Sequence, residues 1–281
     1  MKIKSIATAL TASIALIAAS VAQDKIELKG SDTLGAKLVP QLKAEYLKNN
    51  SGLTIDILAQ GSGHAFSNLA AGTADIGMSS RKVKQKEIDK FAAKGQKLIE
   101  HVAAYDMIAV ILNDANPVKK LSLKQIEGIF TGSITDWSEV GGKAGKIAVY
   151  TRNTSSGTYK SFAKLAMSKK DYGKNTQKLE GNQPICTEVA KNPLGIGYVG
   201  LAYSKGENYK TSKVDGVSAK VSKLAKYPLA RKLYYYTVGE PTGETAKFLT
   251  WMTSSDAANK IVAEIGFVPT PVAIKAMGKS K

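Results

Sequence analysis

Thr151-Arg152-Asn153-Thr154-Ser155-Ser156-Gly157-Thr158 lies between two segments of opposite character. Before it, Ile147-Ala148-Val149-Tyr150 has the apolar continuity of a buried strand. After it, Tyr159-Lys160-Ser161-Phe162-Ala163-Lys164-Leu165-Ala166 spaces its apolar residues as a helix does. A strand therefore delivers an arginine into a loop of hydroxyls and one glycine, and that loop opens a helix. The first N–H groups of a helix lack internal partners and sit at the positive end of its dipole. Small residues let an anion approach them, and an arginine adds a fixed fork of donors. By itself the octet could equally be an ordinary Ser/Thr helix cap.

The same arrangement recurs three times in the first third of the chain. Lys25-Ile26-Glu27-Leu28-Lys29 runs into Gly30-Ser31-Asp32-Thr33, followed by a helical stripe of Leu34, Leu38, Leu42 and Tyr46. Leu53-Thr54-Ile55-Asp56-Ile57-Leu58 leads to Gln60-Gly61-Ser62-Gly63 and a helix carrying Phe66, Leu69 and Ala70. Asp75-Ile76-Gly77-Met78 ends in Ser79-Ser80-Arg81. Open α/β sheets bind ligands at the carboxyl ends of their strands, so four such loops can converge on one small oxyanion. Neither a metal nor a carboxylate pair is required.

The alternation of strands and helices argues α/β with mostly parallel sheets. Two apolar runs, Met107–Leu112 and Leu233–Val238, are candidate connectors between lobes, with about 120 residues between them. Ser122-Leu123-Lys124-Gln125 is a capping box that opens a helix through Phe130, stopped at Thr131-Gly132-Ser133. The last helix expected is Asp256–Glu264, closed by Gly266. Gly195-Ile196-Gly197-Tyr198-Val199-Gly200 matches a dinucleotide fingerprint, but Lys191-Asn192-Pro193-Leu194 before it is no strand and Leu201–Gly206 is too short for the required helix. We read it as a strand with close backbone packing.

Lys2 and Lys4, the apolar stretch Ile6–Ile17 and the small residues Ser20-Val21-Ala22 describe a cleavable export signal, placing the mature start at Gln23. The 40 Lys and Arg against 23 Asp and Glu give +17, or +15 once Lys2 and Lys4 are removed. That balance suits an anionic ligand. The lysines are scattered and not interleaved with aromatics, which argues against nucleic acid. Cys186 is the single cysteine and His64 and His101 are the only histidines, which leaves little for a nucleophile–base pair or a two-metal phosphatase.

Taken in order, these loops resemble the periplasmic phosphate-binding proteins of phosphate ABC transporters, within the type II solute-binding fold. Ile129-Phe130-Thr131-Gly132-Ser133-Ile134-Thr135-Asp136-Trp137-Ser138-Glu139-Val140-Gly141-Gly142 and Gly266-Phe267-Val268-Pro269 strengthen the match, which covers essentially the whole mature chain. The resemblance implies a two-lobed α/β fold of mixed sheets flanked by helices, with the ligand cleft between lobes. It implies a signal peptide over 1–22, a first lobe over 23–108 and 234–281, and a second over 109–233. Thr33, Ser62 and Ser80 would offer hydroxyls, while Arg152, Ser156, Gly157 and Thr158 grip the oxyanion from the second lobe. Ser31, Asp32, Gly63, Arg81 and Ser155 complete the expected site. The implied function is binding of inorganic phosphate in the periplasm as a monomer and its delivery to inner-membrane permease subunits, with no catalysis and no cofactor. Another oxyanion such as sulfate or molybdate, or a phosphate-sensing role, is the alternative. One departure stands out: some members place an Asp in the third loop to accept the proton of hydrogen phosphate, where this chain has Ser80. Asp32 is the nearest substitute, and it is open at this stage whether it accepts that proton or caps a helix.

Overall fold

The structure, a computed structural model, describes residues 25–278. The expected export signal and cleavage point lie outside them. The first lobe begins with β1 (Lys25–Gly30), α1 (Asp32–Gly35), α2 (Leu38–Leu47), β2 (Thr54–Ala59), α3 (Ser62–Ala70), β3 (Ile76–Ser79) and α4 (Gln85–Ala92). The long strand β4 (Leu98–Asn113) then leaves it. The second lobe contains β5 (Lys120–Leu121), α5 (Leu123–Thr131), β6 (Ala148–Arg152), α6 (Gly157–Ala166), β7 (Thr176–Leu179), α7 (Asn182–Lys191), β8 (Gly195–Gly200), β9 (Tyr209–Thr211) and β10 (Lys213–Val214). The chain returns through β11 (Ala230–Val238), α8 (Gly243–Ser254) and α9 (Asp256–Ile265), and ends in α10 (Thr270–Gly278).

Nine strands form one curled sheet in the order β2-β1-β3-β11-β4-β8-β6-β7, with β9 also on β4. The outer strands pair in parallel, β1 with β2 and β3, and β6 with β7 and β8. The middle is antiparallel, because β11 and β4 cross between the lobes in opposite directions. The sheet is thus mixed, rather than mostly parallel as the alternation alone suggested. β4 pairs with β11 up to Met107 and with β8 from Ile108 onward, so one continuous strand serves both lobes. Each lobe has its own core: Leu28, Ile55, Leu233 and Phe248 in the first, and Ile126, Phe130, Phe162 and Tyr198 in the second. Burying side chains of this size contributes roughly 1.5–3 kcal/mol each.

Several local expectations meet the structure differently. Leu34, Leu38, Leu42 and Tyr46 are all buried, but the helix that carries them breaks into α1 and α2 around Ala36 and Lys37. Ser122 caps α5 with the reciprocal Gln125 bond, and Gly132 ends it at φ +86°. The glycine-rich 195–200 stretch is a fully buried strand. The return strand starts at Ala230, so the expected boundary at residues 233/234 falls inside β11. Asp256 does start a helix closed by Gly266, but α10 follows, so it is not the last. Ala273 of α10 packs into the core that holds Phe130, while Phe248 and Val262 of α8 and α9 pack into the core that holds Leu28.

Candidate functional site

The carboxyl ends of β1, β3, β6 and β8 meet at the junction of the lobes, and the loops that leave them interlock. After β1, Ser31 caps α1, its hydroxyl accepting from the Leu34 N–H at 3.4 Å. Asp32 is therefore the first helical residue and not the cap of its own helix. The Ser31 and Ser80 hydroxyls are hydrogen-bonded to each other across the loops after β1 and β3. Ser62 opens α3, and its Oγ accepts from the Ser80 N–H at 2.8 Å. That leaves the Ser62 O–H proton free to donate elsewhere.

From the second lobe, Ser156 caps α6 and accepts from the Tyr159 N–H at 3.2 Å. Gly157 and Thr158 occupy the first turn, whose N–H groups have no partner within the helix. Only glycine fits at 157: a Cβ there would drive into the Ser62 side chain, 2.9 Å from its Cβ, and come within 3.1 Å of the Ser80 carbonyl carbon. The Gly63 N–H donates to the Ser155 carbonyl at 2.9 Å, and Thr33 and Thr158 share a hydroxyl–hydroxyl bond of 2.9 Å. The amino-terminal ends of α3 and α6, one from each lobe, are thereby brought together.

Arg152, the last residue of β6, lies at the centre and is 1% exposed. Its Nε and Nη1 have no hydrogen-bond partner. Asp32 Oδ2 stands 3.3 Å from Nη1, an ionic contact without hydrogen-bond alignment. Burial pushes the guanidinium pKa down, and Asp32 opposes that shift. A buried charged donor without an acceptor is costly, and an oxyanion would satisfy it.

Asp32 is committed across the cleft. Its Oδ2 accepts from the Asn182 backbone N–H at 3.0 Å and side-chain Nδ2 at 2.7 Å, capping α7 of the other lobe. Asn182, fully buried, also accepts from the Gly200 N–H at 3.1 Å. A second arginine backs the site. Arg231 donates through Nε and Nη2 to Asp106 Oδ2 at 3.0 and 2.7 Å, through Nη1 to the Ser80 carbonyl at 3.1 Å, and through Nη2 to Thr158 Oγ1 at 3.1 Å. It thus ties the Ser80 loop of one lobe to the α6 amino terminus of the other.

The structure brings together Ser31, Asp32, Thr33, Ser62, Gly63, Ser80, Arg152, Ser155, Ser156, Gly157 and Thr158. The exception is the Arg81 guanidinium. It forms a two-pronged pair with Glu87, at 2.8 and 2.6 Å, and lies 4.9 Å from the centroid of the Phe66 ring. Its charge is spent away from Arg152. Arg231, Asp106 and Asn182 escaped the sequence reading. Arg231 and Asp106 left a trace there: each is a charge set among largely apolar strand residues, and the two fall opposite each other in the β4–β11 register. Among the described residues no cluster of His, Cys, Asp and Glu could hold a metal ion. Cys186 is buried, which pushes its thiol pKa up, and its Sγ contacts the Tyr203 carbonyl. The chemistry on offer is a buried group of N–H, O–H and guanidinium donors where the loops of the two lobes converge.

Comparison with known proteins agrees with that chemistry. A model of the PBP superfamily domain matches residues 18–256. The phosphate-binding protein PstS of Pseudomonas aeruginosa is 31% identical over 279 residues, covering 89% of this chain and 85% of that one. PstS of Bacillus subtilis is 29% identical over 250 residues, covering 88% and 81%. An ABC-transporter substrate-binding protein of Clostridium perfringens, whose crystal structure contains bound phosphate, superposes with a TM-score of 0.81 at 30% identity, over 88% of this chain and all of that one. An ABC-type phosphate transport receptor of Vibrio cholerae gives 0.70 at 28% identity, over 86% and 99%. With the two-lobed fold, the convergent loops and these similarities in hand, the chain belongs to the PBP superfamily and, within it, to the phosphate-binding proteins of phosphate ABC transporters.

Proposed function

We propose that this protein binds inorganic phosphate between its lobes in the periplasm and hands it to the permease subunits of an ABC importer. The observation that carries the reading is Arg152, buried with Nε and Nη1 unpartnered in a cleft of converging helix amino termini. Arg152 would bind two phosphate oxygens with its fork. Ser62 Oγ, the hydroxyls of Thr33 and Thr158 and the N–H groups of Gly157 and Thr158 would complete the shell. Arg231 and Asp32 would hold that shell together from behind and across the cleft. Such a shell binds a ligand and offers no nucleophile–base pair, which supports a carrier rather than an enzyme. Among the described residues no helix is long and apolar enough to cross a membrane. Release after removal of residues 1–22, and action as a monomer, belong to the same proposal. The lobes would divide where β4 changes partners at Met107/Ile108 and where β11 begins at Ala230.

Calorimetric titration of phosphate-stripped protein tests the reading. Phosphate and arsenate should bind one-to-one, with sulfate weaker. Tighter binding of sulfate or molybdate than of phosphate would overturn it.

A further inference from the structure

Beside the candidate site, on the flank formed by α6, β11 and the segment after β3, lies a groove of about 490 Å³. Its lining includes Lys82, Lys84 and Lys232 from the first lobe and Lys160 and Lys164 from the second, and no Asp or Glu. Arg81 and Arg231 also line it, but their charges are balanced by Glu87 and Asp106. Among the described residues none of the five lysines forms an ion pair. Lys84 is half-buried, and burial followed by repulsion from Arg81 pushes its pKa down against the opposing pull of Glu87, with Lys160 across the groove adding to the repulsion.

Like charges thus face one another across a concavity whose walls belong to different lobes. The floor also touches the candidate site: Ser161 Oγ donates to the Ser80 carbonyl at 3.0 Å, beside the Arg231 bond to the same oxygen. A flat basic patch would suit a protein surface, but a half-open groove in the ordinary size range for small-ligand pockets suits a compact multivalent anion. We propose that the groove is a second anion site that takes condensed phosphate, and that its occupant bridges the lobes. Neutralising both walls would favour the closed arrangement, and by linkage would tighten binding in the cleft.

The groove adjoins the cleft but is lined by none of the proposed phosphate donors Arg152, Ser62, Thr33, Gly157 and Thr158, so the test runs on both phosphate-stripped and phosphate-saturated protein, with inorganic tripolyphosphate as the probe. Calorimetry on saturated protein should show one saturable, salt-sensitive site. Lys84→Gln/Lys164→Gln should weaken that site about tenfold, whereas Lys223→Gln/Lys226→Gln, an equal charge change elsewhere, should not. Tripolyphosphate should raise the affinity of the cleft ligand about fivefold or more. Absence of saturable binding, equal loss in both double variants, or displacement of phosphate from the cleft would each overturn the proposal. Should the cleft not bind phosphate at all, the titration of stripped protein still decides the groove.

Discussion

Replacing Arg152 by alanine should abolish tight phosphate binding while leaving the ligand-free fold nearly intact. The side chain is 1% exposed, its Nε and Nη1 are unpartnered, and its one close polar contact is Asp32 at 3.3 Å. Two charge-assisted bonds to an oxyanion are worth about 1.5–3 kcal/mol each. Their joint loss is about 3–6 kcal/mol, a fall in affinity of roughly two to four orders of magnitude. No side-chain hydrogen bond within the protein is broken, so the melting temperature of stripped protein should hardly move. The ligand-induced rise, by contrast, should vanish, since at a hundred times Kd it reflects about 2.7 kcal/mol of linkage. Arg152→Lys keeps the charge but loses the fork, and should fall between wild type and alanine. Calorimetry with phosphate, alongside thermal melts with and without it, measures each quantity. If Arg152→Ala binds phosphate within about threefold of wild type while remaining folded, the two orphaned nitrogens are not the anchor.

Arg81→Ala should leave phosphate affinity unchanged, because Glu87 already holds that guanidinium; a loss as large as that of Arg152→Ala would reverse the assignment. Glu87→Gln should cost about 2 kcal/mol of stability at neutral pH. Burial alone would raise the Glu87 pKa, but bonds from Arg81 and the Lys84 N–H outweigh it and hold the folded value below the ordinary 4.5. The contribution is therefore complete above that value and lost as pH falls through the folded pKa, so the melting gap between wild type and Glu87→Gln should shrink below pH 4.5; a gap constant with pH would contradict the pairing. Asp32→Asn should narrow the phosphate-to-sulfate affinity ratio, because an amide can donate to an oxyanion that carries no proton. An unchanged ratio with both affinities reduced would leave Asp32 as a clasp on Asn182 only. Saturating phosphate should reduce the radius of gyration in small-angle scattering, because donors come from both lobes; an unchanged radius with binding confirmed would indicate a preformed closed site.

The convergent strand-end loops were legible because each pairs a strand signal with Gly and hydroxyl residues, a pattern local enough to survive in sequence. Arg152 and Ser156–Thr158 stand where the octet's chemistry puts them. Arg81 illustrates the limit. Its partner Glu87 is six residues on, past a loop whose direction no periodicity reveals. Asp32 was ambiguous for a similar reason: it caps a helix, but α7, which begins 150 residues later in the other lobe. Arg231 and Asp106 were hidden inside strands that look like plain core, since register between distant strands is a tertiary property. The antiparallel centre of the sheet came only from the family resemblance, which implied mixed sheets, because the alternation of elements says nothing about the direction of a strand that crosses between lobes.

A crystal structure of the phosphate-loaded protein tests the central claim most directly. The account predicts one phosphate between the lobes, with oxygens in hydrogen-bonding range of Arg152 Nε and Nη1 and of the Gly157 and Thr158 N–H groups. Phosphate bound elsewhere at full occupancy, with the Arg152 fork still unpartnered, would contradict it.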